Sequence, residues 1–286
     1  MSTVRRYEEN LGKVMAHLEA EFSNDIERIM DSVAPTPRFA ILTREAGTLE
    51  LEVAETRDAV RDHYESLRSS LDVVRSRQIR RLVSDWFVFQ QSVATLRTRP
   101  GTGSPAVGPH DFSVDTAVLF PLAPVGILGE IPWNRTSFAE AMSATSQHHE
   151  PPTEELMDTV DRHEAFLEAW SSGNAASVMD LLDDDCALAI RSLTRADGSL
   201  CTATGRDEVS AALVEQFRVW KPTAWTILNL VVTDWFIFAN VRWVGELRAA
   251  SGDWSTQELS TATLLPISGA MRFRAILGYG TAPEPL

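Results

Sequence analysis

The stretch SDWFVF at 84–89 returns almost unchanged as TDWFIF at 233–238. The two Asp-Trp pairs are 234 − 85 = 149 positions apart. Three further anchors keep that offset: TRDAV (56–60) with GRDEV (205–209), Met30-Asp31 with Met179-Asp180, and Ala40-Ile41 with Ala189-Ile190. A solenoid repeats every ~20–50 residues, so a period this long marks two copies of a whole domain. The Asp-Trp pair could be a twice-used catalytic carboxylate or a structural joint. Each pair lies where one apolar run ends and the next begins. Asp suits a tight turn there because its carboxylate accepts from nearby backbone N–H groups, so the joint is the preferred reading.

Working outward, each copy has the same order of elements. Copy one opens with Leu11, Val14, Met15, Leu18, Phe22, Ile26, Ile29, Met30 and Val33 at helical spacings of three and four. Asp25 is placed to cap a second short helix. In copy two EAFLEAWSSGNAASVMDLL plays this part, with Asn174 at the cap. An extended piece follows, FAILTRE or ALAIRSLT, and then a short helix from Thr56-Arg57-Asp58 or Gly205-Arg206-Asp207, its Asp in the first turn where the helix dipole favours negative charge. Strands are expected near 76–83, 87–97, 113–122 and 127–133, and near 224–232, 236–247, 257–267 and 271–279. Helices followed by a run of strands predict an α+β domain with an antiparallel sheet. The expected boundaries are 1–138 for domain 1, 139–155 for a linker and 156–286 for domain 2.

The bulk properties fit this division. The 286 residues are 44% apolar, long enough for two domains each with a core. The net charge of −14 argues against a nucleic-acid binder, which needs a basic stripe, and against adsorption to an anionic membrane. Cys186 and Cys201 form neither a disulfide framework nor a zinc pattern and read as reduced thiols of a cytoplasmic protein. The start, MSTVRRYEENLGK, has no apolar signal region. The longest apolar run, 117–128, carries two prolines and is too short to span a bilayer. His148-His149-Glu150 could ligate a metal, but adjacent histidines on a linker give poor geometry. The Gly- and Pro-rich loop at 98–111 lacks the Lys-Ser/Thr ending of a phosphate loop and precedes a strand.

The phrases AWSSGNAASVMDLLDDDCALAI, TGRDEV and LVVTDWFIFANVRWVGEL resemble the opening helices, third helix and central hairpin of the NTF2-like superfamily, in particular its SnoaL-like branch. Copy one resembles a more diverged version of the same plan. The resemblance covers about 5–133 and 156–280. It implies two tandem cone-shaped domains, each a curved antiparallel sheet wrapped around helices with a pocket at the open end. It also implies sheet-to-sheet dimerisation, so the two copies could form an internal pseudo-dimer, with further self-association of whole chains as an added expectation. Family enzymes place a carboxylate base in an apolar pocket, where burial moves its pKa toward the working pH. The isomerase pairing of a Tyr on the opening helix with a following Asp is not present in either copy.

Candidate catalytic residues follow from this frame. His17 and Glu21 are four apart, hence neighbours on one helix face, and a Glu that orients a His makes a general base. His63 on the third helix is a possible third member. Copy two has Phe166 and Trp170 at the places of His17 and Glu21. Glu130, in ILGEIPW, is a further candidate. Matching ILG to ILG pairs it with Tyr279, whereas counting from Pro121 and Pro266 pairs it with Ala275. Tyr64, beside Val60 and Leu67, reads as core and joins Trp170, Arg242 and Trp243 as the candidate ligand-binding set. Arg272 and Arg274 share one strand face, more naturally an outer one. The expected activity is acid–base chemistry on a small, mostly apolar organic molecule by an isomerase, cyclase, dehydratase or hydrolase, with no metal and no organic cofactor. The alternative is a non-catalytic ligand-binding or assembly module.

Overall fold

The first helix buries Asn10, Val14, His17 and Ala20, at spacings of four, three and three, while Met15 and Phe22 stay 44% and 41% exposed. The buried face is therefore turned from the apolar stripe expected in the sequence and is more polar than it. The structure is a computed structural model that describes residues 3–45, 48–99, 109–143, 153–269 and 271–285. His148-His149-Glu150 and most of the loop at 98–111 lie outside the described residues. The chain divides into two units, Met1–His148 and His149–Leu286.

Unit 1 runs α1 (Thr3–Phe22), α2 (Ile26–Ser32), β1 (Phe39–Glu45), β2 (Thr48–Ala54), α3 (Arg57–Ser70), β3 (Leu71–Val83), β4 (Phe87–Thr98), β5 (Asp111–Ala123), β6 (Gly126–Ile127), β7 (Ile131–Asn134) and α4 (Phe138–Ser143). Unit 2 runs α5 (Thr153–Ser171), α6 (Ala175–Met179), β8 (Leu182–Arg191), β9 (Leu200–Thr204), α7 (Arg206–Val219), β10 (Trp220–Val232), β11 (Phe236–Arg248), β12 (Trp254–Pro266), β13 (Phe273–Gly280) and β14 (Glu284–Pro285). Both are α+β, as expected. The caps are where the sequence puts them: Asp25 accepts from the N–H of Arg28 at 3.1 Å, and Asn174 from that of Ala176 at 3.0 Å. Asp25→Ala and Asn174→Ala should each cost about 1 kcal/mol in chemical denaturation.

The third helix is not short. It has 14 residues in each unit, and its amphipathic stripe runs the whole length. The repeated Arg before its first-turn Asp has a structural task in unit 1. Arg57 donates to the carbonyls of Val33 and Met30 at 2.5 and 2.6 Å, closing the open end of α2. The extended piece before this helix is also more than one strand. In unit 1 it is the β1–β2 hairpin, and in unit 2 it is β8 paired with β9.

The sheet order is β3-β4-β5-β6 with β7 on β5 in unit 1, and β10-β11-β12-β13-β8-β9 with β14 on β12 in unit 2. The pairing is antiparallel throughout except for β13 and β8, which run parallel, a departure from the expected all-antiparallel sheet. Each first long strand carries two register shifts, at Val73/Arg75 and Gln78/Arg80 in β3 and at Pro222/Ala224 and Ile227/Asn229 in β10. They sit at equivalent positions, so the duplication extends to the irregularities. Bulges of this kind bend a strand and increase its twist.

The Asp-Trp pairs are indeed turns. The N–H of Ser84 donates to the carbonyl of Phe87 at 2.8 Å, and that of Thr233 to Phe236 at 3.0 Å. In unit 2 the hydroxyl closes the turn: Thr233 Oγ1 accepts from the N–H of Phe236 at 3.0 Å and donates to its carbonyl at 2.8 Å. Each Trp stacks edge-on against the following Phe, with ring centroids 4.8 and 4.5 Å apart.

Each unit has an apolar interior. In unit 1 Val14, Ile29, Phe39, Val60, Val88 and Phe120 join one cluster, with a second around Leu71, Leu96 and Phe112. In unit 2 a larger cluster joins Phe166, Val178, Leu213, Trp243 and Phe273.

Candidate functional site

Four candidate residues of unit 1 meet in one buried cluster. His17 comes from α1, Tyr64 from α3 and Glu130 from the three residues between β6 and β7, while Glu21 lies one turn beyond His17. Glu130 is held from behind, its carbonyl accepting from the N–H of Ala40 at 3.1 Å. Gly129 permits this approach, since a Cβ there would lie 2.0 Å from the carbonyl oxygen of Arg38.

Ser32 donates its hydroxyl to the carbonyl of Ile29 at 2.5 Å, so its oxygen accepts from His17 Nδ1 at 2.7 Å. Tyr64 donates to Glu130 Oε2 at 2.5 Å, so its oxygen accepts from His17 Nε2 at 3.0 Å. With these directions both ring nitrogens of His17 act as donors, and Nε2 lies 3.7 Å from Glu130 Oε2. Glu21 Oε1 lies 3.8 Å from the same nitrogen. Glu21 and Glu130 each keep 15% of the side chain exposed, whereas His17 keeps none, so the carboxylates are the members that face outward.

Burial pushes the Glu21 carboxyl up, and the Glu130 charge adds to it, to about 7. At His17 burial opposes the charged ring, but the Glu130 and Glu21 carboxylates outweigh it and hold the imidazole above its usual range. Burial also works against the Glu130 charge, yet the hydrogen bond and charge of His17 keep Glu130 below the usual carboxylate range. Burial and the two carboxylates lift the Tyr64 phenol well above its ordinary value. The cluster thus holds a carboxyl that exchanges protons near neutrality beside an imidazolium–carboxylate pair bridged by a phenol.

His63 is set one layer back. Its Nδ1 lies 3.0 Å from Glu52 Oε2, and its ring meets that of Tyr64 edge-on at 5.6 Å. His17, Glu21 and Glu130 bring one ligand atom each within 4.8 Å of one another, close enough for a divalent ion. Both ring nitrogens of His17 are engaged in hydrogen bonds, so ligation would break one of them.

Strand pairing corrects both sequence registers for Glu130. Phe87 pairs with Pro121 and Phe236 with Pro266, which matches Leu119 to Leu264. Leu119 pairs with Ile131 and Leu264 with Leu277, so Glu130 corresponds to Ile276 rather than to Tyr279 or Ala275. The five positions His17, Glu21, Tyr64, Arg68 and Glu130 of unit 1 are then Phe166, Trp170, Leu213, Phe217 and Ile276 of unit 2.

In unit 2 the same region is a narrow aromatic cavity. Phe166, Trp170, Phe217, Trp220, Trp243 and Tyr279 line it, with His163, Arg191, Gln216, Thr261, Thr263 and Thr281 as its polar groups. Its volume is about 780 Å³, open solvent included. Trp170 packs against Phe166 and Phe217 at 5.7 and 5.2 Å, and Trp243 Nε1 donates to Thr261 Oγ1 at 3.0 Å. His163 is 1% exposed and its Nδ1 has no hydrogen-bond partner. Burial lowers its pKa to about 4, so the ring is neutral at pH 7.

Of the expected ligand-binding residues, Trp170 and Trp243 line this cavity and Tyr64 belongs to the unit 1 cluster. Arg242 does not take part: Val241 and Trp243 on either side of it face the cavity, and Arg242 is exposed on the opposite face of β11. Arg272 and Arg274 are likewise outside the lining. The sequence reading overlooked His163 and Arg68. His163 stands three and seven positions before Phe166 and Trp170, on their stripe, and Arg68 stands four after Tyr64. Cys186 and Cys201 are both free thiols, and burial raises that of Cys186 to about 11.

No protein-family model matches the chain, and no curated protein matches it. Solved structures similar to it include a ketosteroid isomerase-like protein from Erwinia carotovora atroseptica SCRI1043, 19% identical over 46% of this chain and 100% of that one, with a TM-score of 0.37. An NTF2-like protein from Burkholderia xenovorans LB400 is 14% identical over 49% and 98%, with a TM-score of 0.37. An LEH-like epoxide hydrolase from Mycobacterium tuberculosis is 9% identical over 48% and 89%, with a TM-score of 0.36. Each covers about half of this chain. Among the described residues no helix is long and apolar enough to cross a membrane.

Proposed function

We propose that this chain binds a small, mostly apolar organic molecule in the aromatic cavity of unit 2. The observation that supports this best is the cavity itself, walled by Trp and Phe rings and holding one neutral imidazole whose Nδ1 has no hydrogen-bond partner. Stacking on Trp170 and Phe217 would hold a flat ring, and His163 would meet one hydroxyl or carbonyl group on it. Titration of the full chain with single-ring phenols and cyclic ketones, read by tryptophan fluorescence, tests this. Saturable quenching is expected, and Trp170→Ala should weaken it roughly three- to tenfold. A flat response across the series, or equal affinity in the variant, counts against the cavity as the binding site.

A second reading, of a cofactor-independent acid–base enzyme, is favoured by the Glu21 carboxyl near 7 beside His17. Glu21 would take or give the substrate proton. The His17–Tyr64–Glu130 chain can shift two protons in concert, from Nε2 to the phenol oxygen and from the phenol to the carboxylate, without changing its net charge. That would buffer charge arising at Glu21. The isomerase, cyclase, dehydratase and hydrolase types all use such a group. Deuterium exchange at the α-carbon of a ketone series, followed by NMR, should be catalysed by the wild-type chain and lost in Glu21→Gln.

A further inference from the structure

Arg68 is the unexplained charge of unit 1. It is 4% exposed, and none of its three guanidinium nitrogens has a hydrogen-bond partner. Val60, Tyr64 and Arg68 form the buried stripe of α3, so its side chain points into the unit. It is close enough to the cluster for its charge to act on both His17 and Glu21. Neither carboxylate is its hydrogen-bond partner: Glu130 is taken by Tyr64 and His17, and Glu21 faces His17.

A buried ionised group without a partner costs several kcal/mol, and a guanidinium cannot relieve this by losing its proton. The position equivalent to Arg68 in unit 2 is Phe217, which lines the cavity there. Arg68 therefore occupies the place that, in unit 2, borders the cavity.

We propose that Arg68 is the anchor of an anion subsite inside unit 1 that takes the carboxylate end of a small organic acid. The planar guanidinium presents two parallel N–H groups, and a carboxylate presents two oxygens at the matching spacing. Such a ligand would lie beside Glu21 and Tyr64, and its uncharged part would run toward the outward-facing edge where Glu21 and Glu130 keep their exposure. This site is separate from the aromatic cavity and does not depend on that reading.

Saturation-transfer NMR of the full chain with acetate, at constant ionic strength, tests the proposal. The wild-type chain is expected to show saturable binding. Arg68→Met should weaken it at least about tenfold, while the exposed control Arg5→Met should not change it. The melting midpoint without acetate gives a second readout. Removal of an unpaired buried charge should raise it by at least about 2 °C, whereas loss of a structural partner would lower it. If Arg68→Met does not fold, Arg68→Lys keeps the charge but not the fork and should weaken acetate binding at least about threefold. Absence of saturable binding in the wild-type chain, or binding by the Arg68 variants within twofold of it, overturns the proposal.

Discussion

A Glu21→Gln variant is expected to match the wild-type chain in stability at pH 4.5 and to exceed it at pH 8 by on the order of 3 kcal/mol. The unfolded carboxyl has an ordinary value of 4.5, and the folded one is raised by burial to about 7. Between these values the folded chain binds the proton more readily than the unfolded chain. The contribution of this group is full below pH 4.5 and is lost as pH rises through about 7. The amide of Gln stands for the protonated carboxyl at every pH, so it removes the alkaline loss. The neighbouring charges set the direction too. His17 loses one of the carboxylates that sustain its proton, while Glu130 remains to hold it. Urea denaturation of both chains across this pH range measures the gap. A gap that stays constant from pH 4.5 to pH 8 would show that Glu21 titrates as an ordinary surface carboxyl.

His163 should behave in the opposite sense. Its folded pKa is depressed by burial to about 4, against 6.5 for an ordinary imidazole. The contribution of the neutral ring is complete above 6.5 and is lost as pH falls toward 4, because the unfolded chain takes up the proton first. His163→Leu cannot take it up. Between pH 7 and pH 4 its stability relative to the wild-type chain should grow by on the order of 3 kcal/mol. At pH 7 the change is small, since Leu replaces a ring whose Nδ1 is already unpartnered. NMR titration of the imidazole gives an independent check. A His163 ring that titrates near 6.5 removes the basis for the neutral imidazole in the aromatic cavity.

The parts of the fold that depend on local chemistry were legible in the sequence. Asp25 and Asn174 cap because their side chains reach backbone N–H groups two or three residues on, and nothing distant is needed. The Asp-Trp turns and the offset between the copies are equally local. His17 and Glu21 could be paired because helical spacing alone makes them neighbours. What escaped depends on the tertiary fold. Glu130 could not be placed, since strand β6 ends at Ile127 and β7 starts at Ile131, and counting along the chain fails across such a break. Alternation in β11 puts Arg242 and Trp243 on opposite faces but does not say which face is inside. Arg68 was passed over because a buried, unpartnered guanidinium is rare and no local pattern marks one.

The matched bulges of β3 and β10 bear on how such a protein could be remade. They recur at equivalent positions while five interior positions change from polar or ionisable side chains in one copy to apolar ones in the other. Contents and container are thus separable, and the quintet can be exchanged as a block. A hybrid with Phe, Trp, Leu, Phe and Ile written at 17, 21, 64, 68 and 130 should keep its backbone and trade proton-handling for a greasy hollow.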